Sequence, residues 1–286
     1  MTRLLSQEKL SHENLVKTRS GHRPLGSVIR DLRKTVLRMV AEAGSGHLGA
    51  SLSAIDVLAV LYLLKMRHDP QNPHWPERDR FVLGKGHAAP ALYAVLAEAG
   101  YFPSEELWTL RRLGSRLQGH PNLCTPGVDA ASGSLGQSLS VAVGMALAAK
   151  MDGAEHMIYA LLGDGELNEG QVWEAAMTAS HHHLDNLVAI VDRNQYQLTG
   201  KTEDVKALEP LNEKWRAFGW EARDANGHDP ESMLEALDKA GSRNGKPHAI
   251  IAKTTKGGGV SFMEGNRFSN KVPNMGELQR ALAELS

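Results

Sequence analysis

The chain has 286 residues, 42% apolar and 23% charged, with a formal net charge of −1. That composition suits a globular chain with a substantial core, and it gives no general attraction to nucleic acid or an anionic membrane. The single cysteine, Cys124, excludes an internal disulfide and fits a reducing compartment, so the chain is expected to be cytoplasmic. Beside Pro126 and Gly127, Cys124 reads as incidental rather than nucleophilic. The N-terminus mixes acids and bases and lacks the apolar stretch of a signal peptide. No apolar run is expected to reach the ~18 residues of a membrane span.

Residues 1 to about 25 are polar and read as a helix or arm lying on the domain or on a partner; residues 26–286 read as one domain. Ser27 reads as the N-cap of a helix carrying Val28, Ile29, Leu32, Val36, Met39 and Val40 at helical spacing and stopping at Gly44. The glycine-bearing loop SGHLGAS then carries His47. Ser53 and Asp56 read as a capping box for an apolar helix over 55–64. A polar, Pro-rich loop follows, with Arg78, Asp79 and Arg80 as a surface charge cluster. A short strand over 81–83 delivers GKGH, with His87, at its carboxyl end. A helix from about 91 stops at Gly100, and Ser104 caps another with Glu105 and Glu106 in its first turn. The next loop carries His120. A glycine-rich turn with Gly133 and Leu135 opens an Ala-rich helix to about 150, whose small residues suit close packing.

The most informative stretch is 157–200. An apolar strand over 157–162 runs into Gly163-Asp164-Gly165, then a helix over 169–181, then a strand over 187–192 with Asn194 just past its end. Strand, turn, helix, strand is a βαβ unit with a right-handed crossover. Asp164 and Asn194 thus stand at carboxyl ends of strands, where open α/β sheets bind ligands. An acid plus an amide oxygen is hard-oxygen chemistry, suited to Mg²⁺ or Ca²⁺. Mg²⁺ keeps places for phosphate oxygens, so a diphosphate is the natural third party. The glycines let backbone approach it, and the helix N-terminus near Glu169 favours its charge. Helices over 211–218 and 230–240 alternate with strands over 220–223 and 249–252, and a Gly-rich loop leads to a helix from about 275. The expectation is an α/β fold: one doubly wound, mostly parallel sheet with helices on both faces.

Three histidines, His47, His87 and His120, each follow a glycine in a loop beside that unit. Histidine titrates near neutral pH, donates to a developing alkoxide and passes protons either way. His181, His182 and His183 are consecutive on a helix and diverge by about 100° each, so they read as a polar helix end. Lys201, Lys253 and Lys256 read as a solvated face, with a phosphate-facing set as the alternative. Trp173 and Trp215 read as core or interface residues.

The stretches SGHLGASLSAIDVLAVLY, RDRFVLGKGHAAPALYAVLAEAGY, GSRLQGHP, GSLGQSLSVAVGMALAAK and IIAKTTKGGGVSFME, with GDG followed thirty positions later by Asn, cover nearly all of 28–265. In them the chain resembles the N-terminal subunit of a split, two-gene transketolase. The resemblance implies a thiamine-diphosphate-binding domain of the PP type. It implies Mg²⁺, with Ca²⁺ or Mn²⁺ as substitutes, held by Asp164, Asn194 and the main-chain oxygen of Tyr196. Gly133, Leu135, Gly163, Gly165, Glu169 and His87 would bind the cofactor; His47, His87 and His120 would be catalytic. The family moves a two-carbon ketol unit from a ketose phosphate to an aldose phosphate, with the cofactor as electron sink. The glutamate that protonates the aminopyrimidine lies in the pyrimidine-binding domain, which has no place in this sequence. The resemblance therefore implies a separate C-terminal subunit with that domain, in an α₂β₂ assembly, with no nucleic acid or membrane partner. Rival readings are a 2-oxoacid dehydrogenase subunit, which lacks need of three Gly-His loops, deoxyxylulose-phosphate synthase, and a non-catalytic cofactor-binding subunit. Leu48 and Ala50 replace a usual proline and glycine, Ser138 stands where GQG is expected, and Asn270 replaces a histidine. The last departure would favour an unusual sugar or reduced activity.

Overall fold

Alternation of apolar residues between two sheet faces, interrupted by amphipathic helices, produces a layered α/β fold. The computed structural model describes residues 15–18, 20–198, 200–265 and 271–286. Its first described element is an antiparallel hairpin of β1 (Leu15–Thr18) and β2 (Gly21–Pro24); of the helix or arm expected over 1 to about 25, residues 1–14 lie outside the described residues. Helices α1 (Leu25–Ala43) and α2 (Leu48–Val60) follow, then β3 (Arg80–Leu83), α3 (Ala89–Ala99) and α4 (Gln137–Met151). The central unit is β4 (Ile158–Gly163), α5 (Gly170–His181) and β5 (Leu187–Arg193). The rest comprises α6 (Thr202–Val205), α7 (Leu211–Ala217), β6 (Glu221–Asn226), α8 (Pro230–Lys239), β7 (His248–Lys253) and α9 (Met275–Glu284).

The five later strands form one sheet in the order β3-β4-β5-β7-β6, with every neighbouring pair parallel. Phe81, Tyr159, Leu161, Val188, Ile190 and Ile250 point to one face, into a core shared with residues of α1, α2, α3, α8 and α9. Val82, Ala160, Leu162, Ala189, Val191 and Ile251 point to the other, against α4, α5 and α7. Both faces are covered, which is why these strands read as near-continuous apolar runs. Trp215 is fully buried in the second core, with Trp173 packed against it at 5.3 Å between ring centroids.

Five local expectations are corrected, the first being that Ser104 is not a helix cap: it opens a short 3-10 turn whose N-cap is Pro103, without a side-chain cap. Ser27 lies inside α1, whose N-cap is Pro24 without a side-chain cap; the apolar stripe begins earlier, at the buried Leu25. Ser53 and Asp56 are not a capping box: α2 starts at Leu48, and both residues are buried within it, facing distant partners. The helical stretch Leu48–Lys65 is, by length and composition, long and apolar enough to cross a membrane, against the expectation of no such run; with 83% of it buried inside the protein, it is a core helix. Asp79 is buried rather than part of a surface cluster, because its carboxylate accepts the backbone N–H groups of Arg67 and Met157, both at 2.8 Å, while Arg78 pairs with Asp129. These bonds fix the start of β3.

Gly163 lies opposite Asp192 in the β4–β5 register. Asp164, one residue beyond Gly163, and Asn194, two residues beyond Asp192, therefore leave the sheet from neighbouring strand tips.

Candidate active site

A cleft of about 610 Å³ opens at the carboxyl ends of β3, β4, β5 and β7. After β3 come Lys85 and His87; after β4, Asp164, Gly165, Glu166, Asn168 and Glu169; after β5, Asn194 and Tyr196; after β7, Lys256. Loops before α2 and α4 add His47, His120, Gly133 and Leu135, and the last residue of β4, Gly163, is also in the wall. Every site residue expected from the sequence lines this one cleft. Gly133 has φ 153°, a conformation L residues rarely adopt, and a Cβ there would stand 3.2 Å from the His120 ring.

Asp164 is 1% exposed. Its Oδ1 accepts from Gly165 N–H at 2.8 Å, and its Oδ2 accepts from Gln195 N–H at 2.6 Å and Arg193 Nη1 at 3.0 Å. Burial, then repulsion from Asp192, push its carboxyl up to about 6, against the pull of Arg193. A cation at the cleft side would relieve that cost. Asn194 donates from Nδ2 to Ser53 Oγ and Asp192 Oδ2, both at 3.3 Å, which leaves Oδ1 as its acceptor end; Oδ1 takes the Tyr196 N–H at 3.1 Å. The donor set is thus carboxylate and amide oxygen, and it fits a hard divalent cation. Among the described residues no group of three His, Cys, Asp or Glu side chains is placed to hold a metal, so a cation here would also take oxygens from outside that set, such as main-chain, water or phosphate oxygens.

Beneath the amide lies a polar network that the sequence did not reveal. Asp192 is fully buried and ion-paired with Lys85, itself 1% exposed. Ser53 Oγ at 2.6 Å and Thr254 Oγ1 also donate to Asp192. Burial raises the Asp192 carboxyl, but the Lys85 charge and these hydrogen bonds outweigh it and hold the group below the ordinary carboxylate range. A charged carboxylate accepts only, so it fixes the Asn194 amide with nitrogen inward. Glu166, also missed, accepts the N–H of Gly136 and of Gly163, each at 3.0 Å, and so joins the turn before α4 to the end of β4. Its only sequence signal is its place directly after GDG.

The His47 and His87 rings meet edge to face at 5.2 Å. All three cleft histidines are held below the ordinary histidine value: His87 by burial and then Lys85, down to about 3; His47 and His120 by burial and then Arg111. Near neutral pH they are uncharged imidazoles, each able to accept a proton on one nitrogen and donate from the other. His47 Nδ1 is buried without a hydrogen-bond partner among the described residues, as a ligand-facing atom would be. Because the unfolded chain binds protons that folded His87 refuses, stability rises with pH between about 3 and the ordinary histidine value of 6.5. A His87→Gln variant is expected to lose less stability than the wild type on acidification from pH 6.5 to 4, measured by urea unfolding; parallel losses would refute the burial of a neutral ring.

The three candidate lysines part company. Lys256 is buried in the cleft wall, with Nζ 6.0 Å from the Tyr196 ring centroid. Lys253 is exposed and paired with Asp224 at 2.8 Å, and Lys201 is exposed. Ser138 sits buried in the first turn of α4 and does not line the cleft. Asn270 lies outside the described residues. His181 to His183 are exposed at and just beyond the end of α5; the His181 and His182 rings meet edge to face at 5.0 Å and His183 Nδ1 faces the Gly245 carbonyl at 3.2 Å, and among the described residues they form no metal-holding group.

The family model described as "Transketolase, thiamine diphosphate binding domain" matches residues 26–274. A 6-deoxy-6-sulfo-D-fructose transketolase subunit of Clostridium sp. is 49% identical over 256 residues, 89% of this chain and 93% of the relative. An apulose-4-phosphate transketolase subunit of Phocaeicola vulgatus is 45% identical over 255 residues, 89% of this chain and 91% of the relative. The human transketolase is 45% identical, but the match covers 82% of this chain and 37% of that one. The crystal structure of Campylobacter jejuni transketolase superimposes with a TM-score of 0.85 at 39% identity, covering 91% of this chain and 42% of that chain. A parallel sheet with an acid and an amide at adjacent tips, matched over most of its length by transketolase subunits, has one consistent assignment: the chain belongs to the transketolase family and carries its thiamine diphosphate binding domain.

Proposed function

We propose that the chain is the diphosphate-binding subunit of a split transketolase-type enzyme, moving a two-carbon ketol unit from a ketose phosphate to an aldose phosphate in the cytoplasm. The observation that carries this reading is one cleft lined by three histidines and a buried acid–amide pair. Support also comes from relatives of similar length that are named as transketolase subunits.

In this reading Asp164, Asn194 and the main-chain oxygen of Tyr196 hold Mg²⁺, with Ca²⁺ or Mn²⁺ as substitutes. Gly163, Gly165, Glu169, Gly133 and Leu135 border the cofactor, and His87 and Lys256 face its phosphates. Thiamine diphosphate, when bound, supplies the electron sink for breaking and making the bond to the transferred unit. The chain's own residues bind hydroxyls and move protons. His47, with an unpartnered Nδ1 in a buried wall, takes or returns a proton at a substrate hydroxyl, and His120 at the exposed mouth does so for the other substrate. Neutral rings suit both directions of transfer.

A partner chain supplies the glutamate that activates the aminopyrimidine, in an α₂β₂ assembly. The test is direct. This chain purified alone, with Mg²⁺ and thiamine diphosphate, is expected to show no ketol transfer, and addition of a pyrimidine-binding partner subunit is expected to restore it. Turnover by the isolated chain would overturn the two-subunit reading.

A further inference from the structure

The loop after β7, residues 254–259, brings Lys256 into the cleft wall and is fastened from outside by residues that do not line the cleft. His228 Nε2 accepts the N–H of Thr255 at 2.8 Å. A peptide N–H only donates, so Nε2 carries no proton and the ring proton sits on Nδ1. That nitrogen faces Asp56 Oδ2 at 2.8 Å. Asp56 is 4% exposed and also receives Arg33 Nη2 at 2.5 Å, while Arg33 Nε donates to the Gly258 carbonyl at 3.1 Å. One carboxylate on α2 therefore orients a histidine and an arginine, and each grips a peptide group flanking Lys256. Gly257 N–H adds a bond to the Gly49 carbonyl at 3.1 Å, close to His47. A Cβ on Gly259, at φ 92°, would stand 2.7 Å from Arg33 Nε, so the clamp closes on bare backbone.

We propose that His228, oriented by Asp56, is a positioning residue: it fixes the loop through Thr255 and so sets Lys256 toward the ligand's phosphates. The proposal rests on reading the cleft as a diphosphate site. A buried ammonium on a loop is useful only where its position is defined, because free rotation would forfeit the preorganised charge.

The test uses the full chain, inorganic pyrophosphate with Mg²⁺, and calorimetry. In His228→Asn the amide still reaches Asp56 but ends short of Thr255; in His228→Gln an amide oxygen stands level with the lost Nε2. H228N is expected to weaken pyrophosphate about three- to tenfold, the worth of one hydrogen bond transmitted to the site, and H228Q to return within about twofold of wild type. Lys256→Met should weaken binding by itself, and adding H228N to it should cost nothing more, since the two act as one unit. Wild-type affinity in H228N, or an undiminished loss in the K256M background, overturns the proposal. Absence of pyrophosphate binding by the wild type would instead remove the diphosphate reading beneath it.

Discussion

Asp164→Asn is expected to lower Mg²⁺-dependent thiamine diphosphate affinity by at least about 100-fold, since even residues that only support metal ligands cost about 10–100-fold. The fold should survive. Arg193 keeps Thr202 Oγ1 at 2.6 Å, Glu203 at 2.7 Å and Glu209 at 3.0 Å, so its guanidinium is not stranded. The acid itself is strained toward neutrality, with its carboxyl pushed up to about 6 by burial and by Asp192. Removing that charge takes away a folded-state cost, while the new amide nitrogen turns a donor toward either Gly165 N–H or the Gln195 N–H and Arg193 that Oδ2 accepts, and the gain and the lost hydrogen bonds partly cancel. The melting temperature is accordingly expected to move by only a few degrees while binding collapses. Calorimetry beside thermal melting checks both halves. Affinity within about threefold of wild type would mean that Asp164 does not ligate the ion.

Lys85→Met is expected to have the opposite profile, with stability as the first casualty. The variant leaves Asp192 fully buried as an uncompensated anion, with Ser53, Thr254 and Asn194 as neutral donors. Breaking a buried pair in this way costs about 3–5 kcal/mol, which lowers the melting temperature by roughly 10 °C in a domain of this size. Adding Asp192→Asn should recover most of that loss, because no buried charge then remains. It should not recover cofactor affinity, because an amide at 192 no longer dictates which end of Asn194 faces the cleft. Recovery of both would show that Asp192 serves packing alone.

The fold was readable because its strands announce themselves. Two-sided burial made β4 and β5 continuous apolar runs, and glycine ended α1 and α3 as expected, with Gly44 and Gly100 both left-handed. That the eleven residues proposed for the site share one cleft has a related reason: nearly all sit at a strand tip or beside a glycine, where backbone chemistry marks the position. What stayed hidden depends on sequence-distant partners. Ser53 and Asp56 imitate a helix cap, yet their partners include Asp192, 139 positions away, and His228, 172 positions away. Lys256 looks like a solvated lysine because nothing in KTTKGGG reveals that the loop folds under Arg33 and His228. Asp79 between two arginines looks like surface charge until the backbone of Met157, 78 positions on, closes over it. The hairpin of β1 and β2 escaped notice because LVKT and GHRP are too short and too polar to carry a strand pattern.

The Asp192 cluster has a bearing on how the binding site comes into being. Its donors arrive from α2, from the loop after β3 and from the loop after β7, spanning some two hundred positions of chain from Ser53 to Thr254. No contiguous stretch of the polypeptide contains it. On the proposed reading, ion binding at the neighbouring tip is therefore tied to completion of the whole sheet, and a chain still emerging during synthesis has no partly competent cleft for the cofactor.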